Sequence, residues 1–275
     1  MRRLTILIAL AGLAAACGTV EQTVEGAAPD SGPAAGVVVA SAGVRGTELP
    51  SGLASADGST YVALAAGRLV RFDPVTGERR GSMPVLGAWR LAAVSANGRW
   101  AALEQGRTRV LVLDVRRGSV AHELDLDGDF LVETVANDGS FLFLQQNFAD
   151  GRYAVRGYSL RTGKLLPGSL ATKGQTVKMA GTATGTIASP DGRWLLTVYV
   201  DTAKGTAFVH ALNLADRVPI CIVLPPCEDC DVDDLRGWKL TLASDGRTLG
   251  ARNGAIGRAA VIDLATSSVV GSSTF

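Results

Sequence analysis

An Asp-Gly or Asn-Gly step set between two apolar runs returns five times along this chain, and no other feature of its 275 residues constrains the fold as much. The copies are Ser55-Ala56-Asp57-Gly58, Ser95-Ala96-Asn97-Gly98, Ala136-Asn137-Asp138-Gly139, Ser189-Pro190-Asp191-Gly192 and Ala243-Ser244-Asp245-Gly246. Such a step supplies the positive φ of a tight hairpin, so each copy is expected to join two antiparallel strands. Successive turn glycines, at 58, 98, 139, 192 and 246, lie 40, 41, 53 and 54 residues apart. A period near forty, with several short strands per unit, predicts blades repeated around an axis.

Each unit has one internal grammar. An apolar run leads into the Asp-Gly turn, and a second leaves it, as in Tyr61-Val62-Ala63-Leu64 and Phe141-Leu142-Phe143-Leu144. A third run ends on an apolar residue plus a small polar one: Phe72-Asp73, Leu113-Asp114, Tyr158-Ser159, Leu212-Asn213 and Ile262-Asp263. A second turn follows, clearest in Asp73-Pro74-Val75-Thr76-Gly77-Glu78, where Pro presets one φ, Gly supplies the positive one, and Asp bonds the backbone two residues on. A fourth run then closes the unit. The expected fold is all-β: a β-propeller of four-stranded antiparallel blades with five repeats visible. Residues 36–40 and 44–49 are expected to help close the ring, or to belong to a worn sixth blade.

Ser189-Pro190-Asp191-Gly192-Arg193-Trp194 before an apolar strand, and Phe72-Asp73-Pro74-Val75-Thr76-Gly77-Glu78 closing a third strand, resemble the repeats of WD-repeat-like and YVTN-type bacterial β-propellers. The resemblance runs from about residue 52 to the C-terminus. A WD dipeptide is absent, and the fifth copy has Ala265-Thr266-Ser267-Ser268 where Thr-Gly is expected. It implies a fold rather than an activity, since such repeats serve scaffolds, sensors and some enzymes.

The N-terminus gives an address. Met1-Arg2-Arg3, an apolar run from Leu4 to Ala16 and then Cys17 read as a signal peptide, too short for a membrane span. Residues 1–16 resemble a bacterial lipoprotein signal, which implies cleavage before Cys17 and a lipid on that cysteine, anchoring the exported protein to the outer surface of the membrane. Residues 17–35 are rich in Gly, Pro and Ala without a sustained period and read as a flexible tether. Residues 36–275 form the propeller domain. Without Arg2 and Arg3 the chain has 25 basic and 26 acidic residues and no basic run, which argues against a nucleic-acid partner.

Repeat folds place function where repeats diverge. From the polar residue ending the third strand to the next turn glycine, the third and fourth units are eight residues longer than the first and second. These two units are also enlarged between their second and third strands. Antiparallel alternation puts all four enlargements, Gln145–Tyr153, Lys173–Gly185, Asp201–Gly205 and Pro225–Gly237, at one end of the strands. That end is the expected binding face.

One enlargement has unusual chemistry. Cys227, Glu228, Asp229, Cys230, Asp231, Asp233 and Asp234 crowd together, with Cys221 just before. In an oxidising envelope two of Cys221, Cys227 and Cys230 are expected to pair, and all three pairings are open. The carboxylates of this loop, with Trp238 and with Asp125, Asp127 and Asp129 on the same end, are the candidate binding-face residues. They would serve a basic partner or hold Ca²⁺, although Asp125-Leu126-Asp127-Gly128-Asp129 lacks the distal glutamate of an EF-hand. The metal is otherwise unspecified and no other cofactor is expected. His122 and His210 sit in apolar strand runs and read as packing or surface residues. No Gly-x-Ser-x-Gly elbow, His-Glu-x-x-His or P-loop is present, so no catalytic residue is assigned. The function expected is a lipid-anchored scaffold binding a protein or another cell-envelope component; the alternative is a hydrolase or lactonase-like enzyme with acidic loop residues, dependent on Ca²⁺.

Overall fold

Ser55 shows why the repeated turn works. Its hydroxyl donates to Asp57 Oδ1 at 2.6 Å and accepts the Thr60 N–H at 3.0 Å, while Gly58, at φ +69°, donates its N–H to the Ser55 carbonyl. Ser189 repeats the arrangement with Asp191 and Trp194. The hairpin loop is therefore four residues long, built on an internal turn, rather than the tightest two-residue form expected from Asp-Gly alone. Where the position is serine, at Ser55, Ser95 and Ser189, its hydroxyl closes the loop; Ala136 and Ala243 stand there in the third and fifth copies.

The computed structural model describes residues 49–275 except 174–176 and 228. The signal-like segment, Cys17, the tether and residues 36–48 with their expected ring-closing strands lie outside the described residues. Five sheets of four antiparallel strands follow in sequence order. The first blade is β1 (Gly52–Ala54), β2 (Tyr61–Ala65), β3 (Arg68–Phe72) and β4 (Arg79–Pro84). The second is β5 (Arg90–Val94), β6 (Trp100–Gln105), β7 (Arg109–Asp114) and β8 (Ser119–Asp125). The third is β9 (Asp129–Val135), β10 (Phe141–Asn147), β11 (Tyr153–Ser159) and the short β12 (Lys164–Leu165), followed by a hairpin of β13 (Gly168–Ser169) and β14 (Thr172–Lys173). The fourth is β15 (Thr182–Ala188), β16 (Trp194–Asp201), β17 (Thr206–Asn213) and β18 (Val218–Val223). After the one-turn helix α1 (Val232–Leu235), the fifth is β19 (Trp238–Leu242), β20 (Thr248–Asn253), β21 (Arg258–Asp263) and β22 (Ser268–Thr274).

Both faces of an inner blade are buried, so its strands read as continuous apolar runs. In β7, Leu111 and Leu113 pack toward the first blade, while Val110 and Val112 pack toward the third. Phe141, Phe143, Tyr153 and Tyr199 fill the junction of blades three and four, and Trp194, Leu235, Trp238 and Ile262 that of blades four and five. Among the described residues no core cluster joins blade five to blade one, and Val261, on the outward face of blade five, is exposed.

The first turns of neighbouring blades grip one another. Asp57 N–H donates to the Ala96 carbonyl, Asn97 exchanges two hydrogen bonds with Asn137, and Asn137 reaches the Asp191 carbonyl. The second turns keep their geometry even where glycine is missing: Arg217 at φ +59° and Ser267 at φ +53° stand where Gly77, Gly118 and Gly163 stand in the first three blades. The altered fifth copy is thus still a turn.

Candidate functional site

The strand order puts both hairpin turns of every blade at one end and the second-to-third-strand loops, with the inter-blade connections, at the other. The enlarged segments all belong to the second end. In blade three the loop between β10 and β11 has Asp150 at its tip, paired with Arg152 at 2.9 Å and with Lys178 at 2.8 Å. Lys178 belongs to the insertion after β14, and its ammonium also sits 4.4 Å from the centre of the Phe148 ring. The Lys178 hydrogen bond is the largest of several that lower the Asp150 carboxyl to about 2. Tyr153 and Met179 exchange backbone hydrogen bonds. Two separate enlargements are thereby one unit. The insertion starts earlier and ends earlier than its residues suggest, since Thr182 to Ala188 already form β15.

The second enlarged connection is stapled. Cys227 and Cys230 form a disulfide, which settles one of the three open pairings; Cys221 lies on β18 opposite His210 and takes no part in that bridge. Asp231 caps α1, its side chain accepting the Asp234 N–H at 2.9 Å while Asp234 accepts the Asp231 N–H. Asp233 pairs with Arg236 at 2.7 Å. Leu235 is buried in the core below, and the Asp234 carbonyl is held by Asn253. These acids build the loop: carboxylates at a helix start satisfy its free N–H groups. Asp229 is exposed, and Glu228 lies outside the described residues.

Trp238 needs correction as a surface candidate. Its ring is 1 % exposed, packed in the cluster that joins blades four and five, and its indole N–H has no acceptor among the described residues. It alternates with Lys239 on β19, so facing the neighbouring blade puts it in the core. Asp125, Asp127 and Asp129 are exposed at the loop end; Asp129 accepts a hydrogen bond from Asn147 and lies 3.6 Å from Arg107. Among the described residues no three His, Cys, Asp or Glu side chains come together as a metal site.

The feature sequence reasoning missed lies at the axis. In the pairing of β9 with β10, Val132 faces Leu144 and Thr134 faces Phe143, so Glu133 is an extra residue in a bulge. Bulges re-aim side chains. Glu133 lines a cavity of about 10 Å³ with Leu53, Ala54, Ala93, Thr134 and Ala188, from the inner strands of four blades. That is room for about one water. Glu133 is half-buried, and it makes no hydrogen bond or ion pair among the described residues. Burial, reinforced by the carboxylate of Glu104, pushes Glu133 up to about 7. Glu104 is itself buried; burial raises its pKa, while the Val132 N–H and the Arg90 guanidinium, both hydrogen-bonded to it, act against that rise. A lone acid within Phe130-Leu131-Val132-Glu133-Thr134-Val135 was the signal available in the sequence.

One blade further, Tyr153 and Tyr199 stack at 4.9 Å, and the Tyr199 hydroxyl donates to Gln145 at 3.1 Å. His210 lies 5.8 Å from the Tyr199 ring, with neither ring nitrogen hydrogen-bonded among the described residues, and burial pushes it down to about 4. Burial thus favours the neutral form of both His210 and Glu133.

Five blades of one topology can be compared with solved folds. The WD40 domain of SCAP from fission yeast superposes with a TM-score of 0.52 at 12% identity, over 81% of this chain and 55% of that one. The fold of this protein is a β-propeller, similar to that of a WD40 domain. The propeller spans about half the length of that domain. It is also similar to a chain of the mitotic checkpoint complex, with TM-score 0.49, 12% identity, 80% of this chain and 62% of that one covered. A third likeness is to hydrazine synthase of Kuenenia stuttgartiensis, with TM-score 0.42, 14% identity and 80% of each chain covered. No protein-family model matches the propeller's sequence, and no curated protein matches it.

Proposed function

We propose that the propeller is an exported, lipid-anchored scaffold that presents its loop end to a protein or another component of the cell envelope. The address rests on the signal-like residues 1–16 and on Cys17. The scaffold reading rests on one observation: enlarged segments are tied down by contacts among the described residues. Lys178 clamps two of them together, and the Cys227–Cys230 bridge and the α1 cap fix a third. Loops fixed before binding lose little conformational entropy on association, so their surface can be spent on affinity. The propeller as a fold is compatible with protein binding, and the acidic rim of Asp125, Asp127, Asp129 and Asp229 favours a partner with a basic patch.

The test compares chemical crosslinking in native membranes for the wild type and for a variant lacking hairpin β13–β14 and residues 226–231. A partner held by the wild type and lost from the folded variant supports the reading. Equal capture by both contradicts it. Labelling of the wild type with radioactive palmitate, abolished by Cys17→Ser, tests the anchor separately.

A further inference from the structure

Two residues before the polar residue that ends each third strand stand Arg71, Val112, Gly157, Ala211 and Val261. This position faces the next blade. Val112 and Ala211 are fully buried there, and a side chain at Gly157 would collide with Phe141. Blade one alone has a charged residue at the position. Its partner on the fourth strand is Gly81, where blade two has His122 and blade four has Ile220. An apolar contact between blades is thereby replaced by a guanidinium opposite an absent side chain.

The consequence is a cleft. Between β3–β4 and the turn after β7 lies a groove of about 160 Å³, lined by Leu69, Met83, Val115, Gly81 and Gly118 and by four arginines, Arg71, Arg80, Arg116 and Arg117. No acid lines it. The nearby carboxylates are partly committed: Asp73 and Glu78 pair with Arg80, and Asp114 is shared by Arg99 at 3.1 Å and Arg117 at 3.8 Å. Arg116 donates to the Asn97 carbonyl. Arg71 donates to the Arg80 carbonyl, its buried Nε has no acceptor, and no carboxylate pairs with it among the described residues.

We propose that this groove is an anion site for a phosphate group, either free phosphate or the phosphomonoester of a small headgroup. Guanidinium forks match phosphate oxygens in geometry as well as charge, and low-dielectric walls concentrate their field. The volume is below the roughly 300 Å³ at which sites for drug-sized molecules begin. It suits one anionic group rather than a whole nucleotide. Its place at the edge of the turn end separates it from the loop face, so it stands independently of the scaffold reading.

Gly81 gives a clean probe. A Cβ added there meets nothing within 4 Å, and its φ is not in the left-handed region, so leucine fits the strand and fills the groove while every arginine stays. Isothermal titration of the full chain with inorganic phosphate and with glycerol phosphate is compared for wild type, Gly81→Leu, Arg71→Met and the remote Arg247→Met. The expected result is saturable binding that weakens at least tenfold in Gly81→Leu and Arg71→Met, is unchanged in Arg247→Met, and goes with unchanged thermal melts. Tighter binding of glycerol phosphate identifies a headgroup ester, and equal or weaker binding identifies free phosphate; both support the site. Absence of saturable binding of either anion to the wild type, or wild-type affinity in Gly81→Leu, overturns it.

Discussion

Val132 donates its backbone N–H to the carboxylate of Glu104 across the junction of blades two and three, and the next residue, Glu133, is the one the bulge turns into the axis. The two carboxylates have unequal support. Glu104 has a backbone N–H and a guanidinium; Glu133 has neither, so it is the one that keeps its proton.

Stability should therefore depend on pH through Glu133. An unfolded glutamate titrates near 4.3, whereas Glu133 in the fold titrates at about 7. The native state binds the proton more tightly, so this contribution is complete below about pH 4.3 and is lost as pH rises through 7. The difference corresponds to about 4 kcal/mol. In urea unfolding, Glu133→Gln should gain about that much relative to wild type between pH 4 and pH 8. A constant difference across this range would show that Glu133 is solvated.

His210 works in the opposite direction. Its folded pKa, about 4, lies below the unfolded value near 6.5, so the stability it contributes is present above 6.5 and is lost as pH falls toward 4. Because both ring nitrogens are buried without partners among the described residues, His210→Phe should raise stability at pH 7 by about 1–2 kcal/mol and remove this acid sensitivity. Unfolding curves at pH 4.5 and 7 measure both effects. A destabilised phenylalanine variant would mean that the imidazole is hydrogen-bonded in solution.

Glycines in equivalent first turns should not be equivalent. Gly139 and Gly246 have φ of +71° and +66°, but a Cβ at Gly139 would lie 2.3 Å from the Trp100 indole, while one at Gly246 meets nothing within 4 Å. Gly246→Ala should cost about 1 kcal/mol from backbone strain alone. Gly139→Ala should cost about 2–4 kcal/mol, because overpacking against Trp100 adds to that strain. Equal losses would contradict the contact between neighbouring blades.

Ser267 at φ +53° is a non-glycine residue in a glycine's conformation. Its hydroxyl donates to the Leu264 carbonyl at only 3.4 Å, so little is lost with the side chain. Ser267→Gly should stabilise the fifth blade by about 0.5–1 kcal/mol, read as a higher thermal midpoint.

Much of this was legible because turns report themselves locally. Ser-x-Asp-Gly at 55–58 and 189–192 uses only its own side chains and backbone, and the enlarged units are visible as altered spacings. What depends on the neighbouring blade was hidden. Glu133 differs from its strand companions by one letter, and only the register with β10 shows where a bulge sends it. Trp238 lies near a blade junction in the sequence, where core packing is the safer reading, and β19 facing blade four is what places its indole in the core. Arg71 sits in Leu69-Val70-Arg71-Phe72, where its meaning comes from a Gly81 ten residues away and a turn in the next blade. The acidic loop misled for the same reason: carboxylates that look available are holding the start of α1.

The most direct test of the scaffold reading is site-specific photocrosslinking in native membranes. A photoreactive residue is placed singly at the exposed positions Ala149 and Asp229 on the loop end, and at Ala215 and Ser244 on the turn end. The account predicts that Ala149 and Asp229 capture one and the same partner and that Ala215 and Ser244 do not. Capture of that partner from the turn end, with none from the loop end, would contradict it.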